Sequence, residues 1–209
     1  YWRDWSSDVC SSDLGELWFA GSTGLWRRAG AAWERVPVLD GMGRDWTTTN
    51  TLGVAFDSSG RPWVACRAGV ARGEPGGWRC FEGRDGLPWN DFTGVARGPG
   101  ETMWFATRLG VIRWDGRDFQ YRQGPRWLPS DDVRQVCVDG EGGAWMATGG
   151  GVGRITWRRM TLAEKAEHYE REIERYVART PHGYVARSEE HTSELQSRQY
   201  LVCRLLLEK

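Results

Sequence analysis

No run of eighteen apolar residues occurs in this chain, so no helix of it is expected to span a membrane. Net charge is missing as well, because 28 basic and 28 acidic side chains cancel. A balanced chain lacks the basic footprint of nucleic-acid binding, and no nucleic-acid partner is expected. Lysine is almost absent: Lys165 and Lys209 are the only two, and the other basic residues are arginine, a bias that suits a GC-rich coding sequence. Cysteine is sparse, at five residues with no C-x-x-C pair, which excludes a disulfide framework and the usual zinc patterns. What the chain does have is 28 Gly and 14 Trp in 209 residues. That much glycine and tryptophan excludes a helical bundle and points to short strands joined by tight turns.

The two ends read differently from the middle. Residues 187–197, R-S-E-E-H-T-S-E-L-Q-S, resemble one reading frame of a widely used sequencing adapter. Residues 4–14, D-W-S-S-D-V-C-S-S-D-L, resemble a frame of its opposite strand, and L-V-C-R-L-L-L-E-K at 201–209 resembles its continuation. The competing reading of the C-terminal stretch is an amphipathic helix with Leu195, Leu201, Leu205 and Leu206 apolar. On the adapter reading, 1–14 and 187–209 are adapter-derived tails and the protein proper is a fragment spanning 15–186. That fragment holds 23 basic and 21 acidic residues and keeps Cys66, Cys80 and Cys137.

A repeat of 41 residues organises the middle. Trp18, Trp63, Trp104 and Trp145 are spaced 45, 41 and 41 apart. Two residues after each Trp stands Ala20, Ala65, Ala106 or Ala147. Six after it stands Gly24, Gly69, Gly110 or Gly151, and nine after it Arg27, Arg72, Arg113 or Arg154. Nine before it stands Val54, Val95 or Val136, and fifteen after it Trp33, Trp78, Phe119 or Met160. Leu87-Pro88 and Leu128-Pro129 share one offset, as do Asp91 and Asp132. Each repeat reads as four short strands, and such a period is that of a propeller blade. A blade cannot bury both faces alone, so it packs its large side chains on the next blade. Trp63, Trp104 and Trp145 are therefore expected to be buried between blades rather than to stack on sugars. The Gly six residues later is expected to supply a positive φ.

The expected fold class is all-β, a partial β-propeller of about three to four four-stranded antiparallel blades over residues 15–160. The first blade is expected to lack its inner strand. One helix follows. Thr161 and Glu164 form a capping box, and Leu162, Ala166, Tyr169, Ile173, Tyr176 and Val177 recur at helical spacing. This predicts a connector helix within 161–180, with 181–186 as a loop after it.

The pattern D-G-L-P-x-x-D-F at 85–92 followed by W-F-A-T at 104–107 and Gly110 resembles the two-component regulator propeller repeat. It recurs at Leu128-Pro129, Asp132-Val133, W-M-A-T at 145–148 and Gly151. The resemblance covers about residues 15–157. It implies a seven-bladed propeller, often in the periplasmic sensor part of bacterial hybrid histidine kinases, and hence a periplasmic or extracellular location. This chain departs from it in blade number and in carrying no kinase segment.

No catalytic constellation stands out, and no enzyme activity, cofactor or metal is expected. His168 lies on a charged helix, and His182 stands beside Gly183 with no Cys or carboxylate pair near it. The segments D-S-S-G at 57–60 and D-G-E-G at 139–142 lack the further oxygen donors of a calcium loop and read as turns. In a propeller, the connections between blades and the turns between the two middle strands share one face. Here they offer Arg67, Arg84, Trp89, Asn90, Arg108, Arg126, Trp127 and Asp131 as candidate ligand-binding residues. Aromatics beside charged groups suit a small molecule, a glycan or a protein. The leading reading is a ligand- or protein-binding module of a bacterial extracytoplasmic sensor. The alternatives are a non-catalytic substrate-binding region of a secreted polysaccharide-processing enzyme and a scaffold propeller.

Overall fold

The computed structural model describes residues 8–11, 16–48, 50–156 and 160–179, with side chains for 16–48, 50–156 and 160–171. Among the described residues, fifteen strands form four antiparallel sheets. The first joins β1 (Asp8–Ser11), β2 (Leu17–Gly21), β3 (Gly24–Ala29) and β4 (Ala32–Arg35) in sequence order. The second joins β5 (Thr51–Phe56), β6 (Pro62–Cys66), β7 (Gly69–Glu74) and β8 (Gly77–Phe81). The third joins β9 (Phe92–Arg97), β10 (Met103–Thr107), β11 (Gly110–Trp114) and β12 (Phe119–Arg122). The fourth has β13 (Val133–Val138), β14 (Ala144–Thr148) and β15 (Gly151–Ile155). The innermost strands are neighbours in order, β1 beside β5, β5 beside β9 and β9 beside β13. This is the blade-after-blade stacking of a β-propeller, with three four-stranded blades and a fourth showing three strands among the described residues.

The chain divides into two units, residues 1–157 with the sheets and 158–209 with the helix α1 (Leu162–Arg179). The capping box forms as the sequence predicts. The Thr161 N–H donates to Glu164 Oε2 at 2.8 Å, and the Glu164 N–H donates to Thr161 Oγ1 at 3.3 Å. The loop expected at 181–186, His182 and the tail expected at 187–209 lie outside the described residues.

One expectation needs correction. The first blade does not lack its inner strand, because β1 pairs antiparallel with β2, Val9 opposite Phe19 and Cys10 opposite Trp18. These residues belong to the stretch read as an adapter-derived tail. A bare strand edge offers a row of unpaired N–H and C=O groups, and any extended segment within reach satisfies them whatever its side chains.

Three hydrophobic clusters make the core, one between each pair of consecutive blades. Between blades one and two lie Trp18, Ala20 and Leu25 against Val54, Phe56, Val64, Cys66 and Ala71. Between two and three lie Trp63, Ala65 and Val70 against Val95, Phe105, Ile112 and Trp114. Between three and four lie Trp104, Ala106 and Val111 against Val136, Met146 and Ile155. The alternation of side chains along a strand explains the assignment. On β6, Trp63 and Ala65 face forward to the next blade, and Val64 and Cys66 face back. The leucines of the two Leu-Pro pairs, Leu87 and Leu128, plug the connections into these clusters. The longer first spacing is absorbed between β4 and β5, where a Leu39–Asp45 bridge closes an extra hairpin and inserts Trp46 into the first interface.

Direction decides which repeat Trp is buried. Trp63 and Trp104 are 1 % and 2 % exposed, but Trp145 is 41 % exposed, against expectation. Its forward face has no following blade among the described residues. The Arg nine residues later has a role that the sequence did not reveal. It lies directly across the strand pair from the Trp in all four repeats and places its guanidinium 5.3–5.9 Å from the ring centroid. Such a cation–π contact covers the indole. The Gly six residues after the Trp turns the chain as expected. At Gly110 φ is +110°, and a Cβ there would lie 2.4 Å from the Arg122 carbonyl oxygen.

The turns before the Trp strands hold a second unpredicted device. Asp57 Oδ1 accepts the N–H groups of Ser59 and Arg61, and its Oδ2 accepts from Trp63 Nε1 at 3.1 Å and Arg61 Nε at 2.9 Å. Asp139 does the same for Glu141, Gly143 and Trp145, with Arg154 closing it. Asp40 repeats it with Met42, Arg44 and Trp46 in the inserted hairpin. The third repeat has Gly98 where the second and fourth have Asp57 and Asp139. Its Trp104 Nε1 is buried with no hydrogen-bond partner.

Two outcomes follow for stability. Asp57→Ala strands the buried Trp63 indole and should cost about 1–3 kcal/mol in denaturant unfolding. Supplying the missing acceptor with Gly98→Asp should stabilise by about 1 kcal/mol relative to Thr102→Gly alone. It is made on Thr102→Gly because a Cβ at 98 would lie 3.0 Å from Thr102 Cγ2. The same turns set an acid limit. Asp40 is held down to about 2 by its backbone hydrogen bond from Arg44. Asp139 is held down to about 2 by the Trp145 indole. For Asp57, burial opposes ionisation, but the N–H groups of Arg61, Trp63 and Ser59 outweigh it and its carboxyl is also lowered. Carboxyls lowered by folding contribute stability that is complete above their ordinary 3.8 and lost as pH falls toward 2. Melting temperature should therefore drop through this window, and Asp139→Asn should flatten the drop.

Candidate functional site

The face sought in the sequence is built from the β8–β9 and β12–β13 connections and the β6–β7 and β10–β11 turns. Backbone hydrogen bonds tie connection to turn. The Asp91 carbonyl accepts from the Arg108 N–H at 3.1 Å, and the Asp132 carbonyl accepts from the Gly149 N–H at 2.9 Å. Asp91 and Asp132, which share one offset in the repeat, thus hold equivalent places in the two connections. The Asp131 carbonyl accepts from the Gly110 N–H at 2.8 Å. The Thr of the W-x-A-T motif staples the same turns. Thr107 Oγ1 donates to the Gly110 carbonyl at 2.7 Å and accepts from the Leu109 N–H at 3.1 Å. Thr148 does likewise with Gly151 and Gly150.

All eight candidate residues lie on these connections and turns. Asn90 Nδ2 donates to the Arg67 carbonyl at 2.5 Å, joining the second connection to the turn of its own blade. Trp89 Nε1 donates to Thr107 Oγ1 at 2.7 Å, and its ring meets Tyr121 edge-on at 5.2 Å. Arg108 reaches Asp132 Oδ1 at 3.1 Å, and Arg134 holds the other oxygen of that carboxylate at 3.2 Å. Asp131 Oδ1 accepts from the Gly124 N–H at 2.6 Å, which closes the third connection. Above it stands Trp127, 40 % exposed, with the guanidinium groups of Arg122 and Arg126 at 4.9 and 5.4 Å from its ring. Arg84 lies at the start of the β8–β9 connection. It sits on the 3-10 turn of residues 83–85 and pairs with Glu82, which also faces Arg44.

The sequence missed Tyr121, Leu109 and Arg122, which lie on strand ends and turn tips beside the chosen residues. Tyr121 and Leu109 are more than half exposed. The 41-residue offset held no sign of them, because it leads back to Cys80, Ala68 and Phe81, and only the fold brings Tyr121 against Trp89.

The exposed groups of this face are suited to contact with another molecule. Indole and phenol rings offer stacking surface, and the guanidinium groups offer paired donors. Asp131 and Asp132 are already engaged by N–H groups and arginines. Next to Arg67, burial pushes the Cys66 thiol up to about 12, and burial pushes Cys80 up to about 11. Neither thiol is a nucleophile at neutral pH. His168 is exposed on α1 beside Tyr169. Among the described residues no helix is long and apolar enough to cross a membrane.

No protein-family profile and no curated protein matches the sequence. Solved structures do match the fold. The extracellular domain of BT4673 from B. thetaiotaomicron, assigned to the one-component systems, aligns with a TM-score of 0.58 at 13 % identity, over 76 % of this chain and 23 % of that one. The extracellular domain of BT3049 from B. thetaiotaomicron, assigned to the hybrid two-component systems, aligns with a TM-score of 0.56 at 22 % identity, over 69 % of this chain and 20 % of that one. Virginiamycin B lyase from Staphylococcus aureus aligns with a TM-score of 0.54 at 18 % identity, over 71 % of this chain and 51 % of that one. The chain thus spans about half the length of the lyase and under a quarter of the two sensor domains. Sensors and an enzyme share the architecture, so the likeness carries the fold and not the activity. In fold, the chain is a partial β-propeller of four blades.

Proposed function

We propose that this chain is a non-catalytic binding module of a bacterial extracytoplasmic signalling sensor, taking a small molecule, a glycan or a protein on the face described above. The observation that carries the reading is that Trp89, Trp127, Arg67, Arg108 and Arg126 all lie on connections and turns at one side of the sheets, with Tyr121 of β12 packed against Trp89. The likeness to extracellular domains of sensors supports the signalling half of the reading and a periplasmic or extracellular location. Fixed loops favour affinity, because a ligand need not order them first.

The test is a binding screen of the 209-residue chain against neutral and acidic oligosaccharides and a peptide library, followed by calorimetry on any hit. Arg108→Ala combined with Trp127→Ala should weaken that hit at least tenfold, because both side chains are exposed and their loss leaves the blades intact. A hit that binds the double variant with unchanged affinity places the site elsewhere and sinks this reading. Turnover of the hit by the chain would sink its non-catalytic half.

A further inference from the structure

Among the described residues, five tryptophan rings are covered by arginine, and at one of them the arrangement is incomplete. In the four repeats, the arginine over the repeat Trp is itself met by a side-chain oxygen of its own blade. Arg27 reaches Glu34 at 3.3 Å, Arg72 pairs with Glu74, Arg113 Nη1 donates to Gln120 Oε1 at 3.3 Å, and Arg154 reaches Asp139 at 2.7 Å. Trp127, on the candidate face, carries two guanidinium groups instead of one, Arg122 at 4.9 Å and Arg126 at 5.4 Å from its ring centroid. Arg122 Nη1 donates to the Tyr121 carbonyl at 2.7 Å, and no side-chain oxygen among the described residues meets its charge. The carboxylates of the same connection are engaged elsewhere. Asp131 accepts from the Gly124 N–H, and Asp132 is held between Arg108 and Arg134.

Two like charges gathered on one ring raise the local positive potential, and an anion is drawn to it. A guanidinium group takes a carboxylate through paired N–H donors, which Glu34, Glu74 and Asp139 supply from within the chain in the repeats. What carries the anion here follows from the neighbours of Trp127. Its ring is overlain by guanidinium groups, which take up the stacking surface a sugar would need. Leu109, 53 % exposed, stands beside Gly110, whose N–H donates to the Asp131 carbonyl in the connection that holds Trp127. An exposed leucine offers the hydroxyls of a sugar nothing to bond, but an apolar side chain can pack on it. We propose that the Trp127 cluster takes an acidic peptide segment of a partner protein, its Asp or Glu carboxylate meeting Arg122 and Arg126 and an adjacent apolar side chain resting on Leu109. The inference rests on the binding role proposed for this face and adds the chemistry of the partner. Arginine clusters that read acidic segments, with a tryptophan among them, are a recurrent mode of peptide recognition.

The test uses two matched libraries of short peptides, randomised among apolar residues, with Glu at the centre of one and Gln at the centre of the other. Binding to the full 209-residue chain is read by calorimetry. Binders should come from the Glu library, and replacing their Glu by Gln should weaken them about tenfold or more. Arg122→Gln should weaken the Glu peptides about tenfold and leave their Gln counterparts unchanged, with the melting temperature of the chain unmoved. Should that variant melt earlier, Arg126→Gln takes its place. Leu109→Ser should weaken both members of a peptide pair alike. Oligogalacturonate and its methyl ester form a second arm. Binding of the acid alone, lost in Arg122→Gln and with no peptide binder, overturns the peptide as occupant. A Glu library without binders, or Glu and Gln peptides bound alike, overturns the proposal. A neutral ligand that loses affinity when Arg108 and Trp127 are both changed to Ala, but not in Arg122→Gln, leaves the binding face standing and overturns only the acidic partner.

Discussion

A four-stranded blade has two apolar faces and no means of covering either by itself. Everything else in the sheet-forming part of this chain answers to that constraint. The forward face carries one Trp and one Ala on the second strand, so that a large ring and a gap beside it meet the next blade. The backward face carries the residues between them, Val64, Phe105 or Met146, which fill the gap left by the preceding blade. Side-chain alternation along a strand enforces the division, because a slip of one residue would exchange the two faces. Burying a side chain of this size stabilises by roughly 1.5–3 kcal/mol. A ring of rings therefore holds the blades together where no single blade would persist.

The polar groups follow from the buried rings. An indole driven into an interface carries an N–H with it, and that donor must be met. The aspartate six residues earlier does this in the second and fourth repeats and again in the inserted hairpin, while the same carboxylate shapes the turn through two backbone N–H groups. Repeat three lacks the aspartate, and the price is the unpartnered Trp104 indole. The arginine nine residues later covers the ring from across the strand pair, and in the second repeat its own charge is mostly buried and paired with Glu74. Trp, Asp and Arg thus form one unit spread over sixteen residues and three strands or turns. A similar logic governs the loops. The Leu of each Leu-Pro pair anchors a connection in the core, and the exposed rings and guanidinium groups ride on that fixed base.

Much of the fold was legible from spacing. The 41-residue period located the strands, the buried Val, the Trp and the positive-φ Gly, because these properties repeat wherever the local geometry repeats. The start of α1 was legible from Thr161 and Glu164 alone. The site was legible in part. The loops could be assigned to one face from the order of strands, but Tyr121 sits inside a strand and came to Trp89 only through the register of β11 with β12. Arg84, chosen by the same rule as its neighbours, lies in the same connection and pairs with Glu82. A bulge recurring at Leu52, Thr93 and Arg134 in three innermost strands had no signal in composition or hydropathy.

From the sequence by itself came the repeat, the strand class, the turn residues and the helix cap. All of these depend on neighbours within a few residues or on a fixed period, which a linear pattern records. Only the tertiary structure decided which members of a repeated set are buried. Trp63, Trp104 and Trp145 are equivalent in sequence, yet Trp145 is open to solvent because burial depends on what stands across the face and not on the residue that faces it. It also decided that Asp8–Ser11 completes the first sheet. Val9 stands nine residues before Trp18, the offset of Val54 from Trp63, and pairs with Phe19 in the register of Val54 with Val64, but a single valine at that offset became a strand only through its backbone pairing with β2.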